Sequence, residues 1–268
     1  MIHYILVILI STITYNTSEH SSTEDWLELF NGNDLNGWTI KINGYELGEN
    51  YANTFRVEDG LLKVRYDEYE TFDVEYAHIF YENPYSYYKL ELVYRFIGEQ
   101  VKNGPGWAFR NNGIMFHSQS PQSMLVDQEF PNSIEFQLLG GDGNNTRSNG
   151  NVCTPGMHVK IDGILRTQHC IESNGPAYNG DQWETAELIV HGNERAVHQI
   201  NGEVVLEYTE PQLDSGQLVA GGFIAIQGES HPIDIQSIRL LNLKGCMDVN
   251  ATNYKDYYVK HDSSSCQY

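Results

Sequence analysis

The chain has 268 residues, 40% of them hydrophobic, enough to fill one large β domain with short additions at its ends. Its 16 Lys and Arg stand against 36 Asp and Glu, a formal charge of -20 at pH 7. Phosphate backbones are held by clustered cations, so this balance excludes a nucleic-acid groove and favours a neutral or cationic ligand.

Residues 2–10, IHYILVILI, form an apolar run too short to span a bilayer and are followed by the polar stretch STITYNTSEHSSTED. Residues 1–20 read as a secretory signal peptide or, since no Lys or Arg precedes the run, an uncleaved N-terminal anchor. No other transmembrane segment is expected. Export to the periplasm, cell surface or medium follows from that reading.

Beyond it, short alternating runs recur between Gly, Asn and Asp turns, and no long stretch places apolar residues at helical spacing, which predicts an all-β protein. Residues 55–65 predict a hairpin on Asp59-Gly60, because Gly accepts the positive φ of a tight reversal. Strands are predicted over 88–96, 113–117, 133–139 and 157–161. The strand 183–190 leads into 190–208, where Gly192-Asn193 and Asn201-Gly202 mark two further reversals. With 222–227 and 233–241 the set suffices for two packed antiparallel sheets, more easily a jelly-roll sandwich than a barrel.

Within this frame, residues 104–137 crowd Trp107, Arg110, His117 and Glu135 among amides and aromatic rings. Sugars present hydroxyls to planar polar groups and C–H faces to rings, so the composition suits a carbohydrate site. Alternation puts Ser133, Glu135 and Gln137 on one face of their strand, the polar concave one, and Ile134, Phe136 and Leu138 on the other. His117 is assigned the side of Met115 and Gly113. Glu135 is the candidate general base or metal ligand, set against a buried acceptor tied to Arg110. His117 is the candidate proton donor or metal ligand, set against a satisfied sheet histidine. Arg110 would orient a substrate oxygen or neutralise Glu135. A laminarinase-like glucanase would need two carboxylates on such a strand, roughly 5 Å apart; this one carries a carboxylate and an amide. A second polar group, Gln227, Glu229 and His231, is a candidate substrate-binding set, with His231 before Pro232 on an extended or turn backbone at a loop rim. Trp107, Trp183 and Tyr178 are candidate stacking platforms.

Four cysteines in an exported chain point to local disulfides, Cys153 with Cys170 and Cys246 with Cys266. A zinc set of Cys153, His158, His169 and Cys170 is the alternative. A divalent metal ion is the candidate cofactor, and no other is indicated.

Six motifs occur in order: LFNGNDLNGW from Leu29, VEDGLLKV from Val57, NGIMF from Asn112, SIEFQL from Ser133, the 183–208 segment ending INGEVVLEY, and IAIQGESHPIDIQSIRL from Ile224. Together they resemble the 3-keto-disaccharide hydrolase family over residues 26–243. The resemblance implies a concanavalin A-like jelly roll acting on an oligosaccharide or glycoside whose C3 hydroxyl has become a ketone. That ketone acidifies the C2 proton, so one base can start elimination of the glycosidic substituent, with water adding later. Hydrolysis and elimination with hydration both stay open, and a non-catalytic, lectin-like domain is the alternative. Residues 245–268 resemble a short Cys-bounded repeat at the ends of exported Bacteroidetes proteins, read as a disulfide-pinned stub.

Overall fold

The computed structural model describes residues 23–144 and 147–268. The signal peptide or anchor expected over residues 1–20 therefore lies outside the described residues. Among the described residues, two large sheets of ten and eight strands stack face to face, with one two-stranded piece beside them. Strict alternation builds the outer layer: Tyr87–Phe96 and Glu184–His191 bury every second side chain. In that layer the order runs Ile164–Arg166, Met157–Ile161, Glu203–Leu213, Arg195–Ile200, Glu184–His191, Tyr87–Phe96, Ile233–Asn242, Leu61–Val64, Phe55–Glu58, all antiparallel. The jelly-roll sandwich is as expected.

The second sheet lines the cavity described below. Its order is Cys170–Ile171, Asn151–Cys153, Ile134–Gly141, Asn111–Ser118, Phe223–Gly228, Ala77–Tyr81, Trp38–Ile42. Phe116, Ile134, Phe136, Leu138, Ile224 and Ile226 point into the core between the layers, all with no exposure. The predicted reversals form where expected: Asp59 and Gly60 have φ of 56° and 76°, Asn201 and Gly202 of 51° and 84°. Ala77–Tyr81 was not anticipated, because all its positions are buried and no alternation shows.

Both disulfides form as expected. Cys153 and Cys170 lie directly opposite each other on paired strands. The hairpin between them, turning at Asp162-Gly163, belongs to the other sheet. The C-terminal piece docks on the main body through Trp26, Tyr87, Leu241, Leu243 and Tyr257, with Lys255 2.8 Å from Asp25 and Lys260 3.1 Å from Glu194. The ion pairs are exposed and contribute little each, so the apolar patch carries the contact. Among the described residues, no helix is long and apolar enough to cross a membrane.

Candidate functional site

The strand Asn111–Ser118 runs between Ile134–Gly141 and Phe223–Gly228, and its register builds the site. Met115 lies opposite both Glu135 and Ala225, while Gly113 lies opposite Gln137. Gly113 has no side chain, and the Glu135 carboxyl occupies the space: a Cβ at Gly113 would sit 2.8 Å from Glu135 Cδ. Glu135 thus leans across this strand toward Phe223–Gly228, which Glu229 directly follows.

A cavity of about 510 Å³ opens over this face. Its floor is Asn111, Glu135, Gln137 and Glu229; Trp107, Phe130 and Arg147 rise on one side; Pro155, His169 and the Cys153–Cys170 disulfide stand on the other. The strand itself carries one carboxylate, as expected. A second, Glu229, arrives from across the sheet.

Both carboxyls are buried, Glu135 5% exposed and Glu229 3%. Burial raises Glu135 well above the usual carboxylate range, and the nearby charge of Glu229 adds to the effect. Burial also pushes Glu229 up, to about 8, against the Arg147 charge and a 2.8 Å hydrogen bond that Gln227 Nε2 donates to its Oε1. Glu229 is therefore the first of the pair to ionise, and its charge then holds the proton on Glu135. Such a pair supplies one base and one acid. Glu135 Oε1, Glu229 Oε2, Gln227 Oε1 and Asn111 Oδ1 are buried without a hydrogen-bond partner among the described residues, so the floor has polar groups free for a ligand.

Arg147, which the sequence reading passed over, is fixed by backbone oxygens. Its Nη1 donates to the carbonyls of Gly140, at 3.0 Å, and Phe109, and its Nη2 to that of Trp107 at 3.0 Å. It sits in a polar Gly- and Asn-rich stretch with no periodicity to mark it.

Arg110, His117 and Glu135 do not converge. Alternation puts His117 beside Glu135, but a bulge intervenes: Phe223 and Ala225 pair with Ser118 and Met115, leaving an extra residue on the His117 strand. His117 takes a φ of 48°, and its ring turns away until Nε2 lies 2.9 Å from Gly192 O in a hairpin of the other sheet. Burial lowers its pKa to about 4, so it is neutral there. Arg110, with φ of 43°, donates to Gly180 O at 2.7 Å and Asp181 at 3.3 Å, and so does not neutralise Glu135. Neither lines the cavity.

Of the other expected residues, Gln137, Glu229 and Trp107 line the cavity, and Gln227 supports Glu229 from below. His231 is not at a rim: it is fully buried, edge-on to Phe96 and Phe109 at ring distances of 5.8 and 5.0 Å. Trp183 lies under the Arg95 guanidinium, 4.5 Å from its ring, away from the site. The zinc set does not form, because both its cysteines are in a disulfide and His158 pairs with Asp214 at 3.3 Å. Among the described residues, no group of three or more His, Cys, Asp or Glu is arranged to hold a metal ion.

No curated protein sequence matches the chain. Among solved structures, it is similar to two candidate glycosyl hydrolases of Parabacteroides distasonis ATCC 8503. One is 16% identical over 81% of this chain and 94% of that one, with a TM-score of 0.50; the other is 17% identical over 82% and 100%, with a TM-score of 0.49. It is also similar to a carbohydrate-binding module, CBM66, of Bacillus subtilis, 10% identical over 77% and 96%, with a TM-score of 0.49. At such identities the first likeness concerns the fold. Sequence goes further: residues 25–241 match the 3-keto-alpha-glucoside-1,2-lyase-like domain, and the chain belongs to that family.

Proposed function

We propose that this protein cleaves 3-keto-glycosides by elimination across C1 and C2. The reading is carried by two buried carboxyls of unequal acidity, Glu135 and Glu229, on the floor of one cavity. The Glu229 carboxylate takes the C2 proton, which the C3 ketone makes acidic, and the electron pair moves onto the ketone oxygen as an enolate. Collapse of the enolate forms the C1–C2 double bond and breaks the bond from C1 to the glycosidic oxygen. Glu135 gives its proton to that oxygen, and the alcohol leaves. Water adding to the 1,2-unsaturated 3-keto sugar then yields the free 3-keto sugar.

Positive charge from Arg147 and the amides of Asn111 and Gln137 stand around the same floor, suited to the developing enolate. Arg147 is preorganised by its backbone acceptors, so little reorganisation accompanies the reaction. The test incubates purified protein with 3-keto-glucosides, some deuterated at C2, and with their unoxidised parents, followed by mass analysis and NMR. The expected result is an unsaturated keto sugar from the oxidised substrates alone, with a primary isotope effect at C2. Intact 3-keto substrates would overturn the proposal and leave a carbohydrate-binding role.

A further inference from the structure

The cavity is polar below and apolar above. Of the groups able to meet sugar hydroxyls, Asn111, Glu135, Gln137 and Glu229 are on the floor, while Arg147 and His169 stand one on each side. Above them, Trp107 and Phe130 form one side, and both are braced from behind by Tyr76: Trp107 stacks on it at 5.9 Å with planes 27° apart, and Phe130 at 4.8 Å and 34°. Trp107 sits in the short turn Gly106–Ala108, whose carbonyl Arg147 holds, yet its side chain is 54% exposed. A large ring fixed in place and left half in solvent beside a cavity marks a contact surface for a ligand. The facing wall is Pro155 and the Cys153–Cys170 disulfide, with His169 its one polar member among the lining residues.

From this we infer that the upper cavity is a leaving-group subsite for a flat, apolar, ring-containing aglycone, neutral or cationic, rather than for a second sugar. With the keto sugar on the floor, its C1 substituent extends between these walls. A second sugar would bring most of its hydroxyls against an indole, a phenyl ring, a proline and a disulfide, with only Arg147 and His169 on the sides to replace the hydration lost. An aromatic group loses nothing comparable and gains ring contacts on one side and sulfur contacts on the other. The net charge of -20 disfavours acidic aglycones. The reaction assigned to the subsite rests on the elimination proposed above.

The test compares methyl, benzyl and glucosyl 3-keto-glucosides, whose leaving groups are all alcohols, on the wild-type protein and on Trp107→Ala and Phe130→Ala. We expect kcat/KM for the benzyl substrate to exceed that for the other two by roughly tenfold, with Trp107→Ala removing most of the difference through KM. A preference for the disaccharide, or equal losses on all three substrates, would overturn the inference while leaving the elimination standing. Calorimetric binding of unoxidised benzyl and methyl glucosides to the wild-type protein gives a readout independent of chemistry. If no keto substrate reacts, the elimination fails, and the calorimetry alone decides the subsite: tighter benzyl binding supports it, equal binding overturns it.

Discussion

Glu135 leans across Gly113 into the cavity that also holds Glu229, and the charge of Glu229 keeps the Glu135 proton in place. Because Glu229 must be ionised to act as the base and its pKa lies at about 8, kcat/KM is expected to rise with pH toward that value. It should fall again only where Glu135, held higher, loses its proton. Arg147 lowers Glu229, so Arg147→Gln is expected to move the acidic limb to higher pH. A pH–rate profile with that limb unmoved would speak against Glu229 as the base.

The same carboxyls should make the protein more stable when removed. Their pKa values in the folded state lie above the ordinary 4.5, so the folded protein binds more protons than the unfolded chain between about pH 4.5 and 8. Stability therefore falls as pH rises through that window. Glu229→Gln is expected to unfold later than wild type at pH 8, by on the order of a few kcal/mol, with the difference gone near pH 4. Turnover should drop by roughly 10²–10⁴-fold. Denaturant titration at the two pH values checks the sign, and a destabilised variant at pH 8 would contradict it.

Gly113→Ala separates position from chemistry. Its new Cβ would lie 2.6 Å from Glu135 Cγ and 2.8 Å from Cδ, and the flexible carboxyl can swing away more easily than the sheet can open. The expected outcome is a folded protein, less stable by about 1–3 kcal/mol, with kcat reduced much more than the stability change alone suggests. Unchanged turnover would show that the carboxyl need not lie over that glycine.

The Cys153–Cys170 bridge is both staple and wall. It closes a sequence separation of 17 residues, and Cys153 lies opposite Glu135 in the sheet. Replacing both cysteines with alanine is expected to cost about 3 kcal/mol and to raise KM, because the cavity loses one side. The same change at Cys246 and Cys266, in the docked C-terminal piece, should cost stability while KM stays put. Parallel melting curves and kinetics on the two double variants make the comparison.

Local signals explain what was readable in advance. Asp59-Gly60 and Asn201-Gly202 specify left-handed backbone, alternation assigns Glu135 and Gln137 one face, and four cysteines close in sequence pair locally. The sequence showed one carboxylate on the 133–138 strand and implied a lone base. Its companion Glu229 belongs to a segment some ninety positions later, and only the sheet order brings the two together. Arg147 lies in an aperiodic loop, the positive φ of Arg110 has no residue-type cue, and that of His117 has only the weak preference of histidine for the left-handed region.

His117→Ala tests the consequence of that bulge most directly. In a regular strand the imidazole would face the cavity beside Glu135, and its removal would cost catalysis. With the extra residue in the ladder, the ring instead reaches Gly192 O at 2.9 Å and joins one sheet to a hairpin of the other, neutral and 3% exposed. Loss of that buried contact leaves a carbonyl unpaired, so the variant is expected to lose about 1–3 kcal/mol of stability. Its kcat/KM and pH profile should stay at wild-type values at temperatures where it remains folded. A variant that folds normally but loses turnover a hundredfold or more would mean that the imidazole reaches the reacting sugar, and the acid assigned to Glu135 would have to move to it.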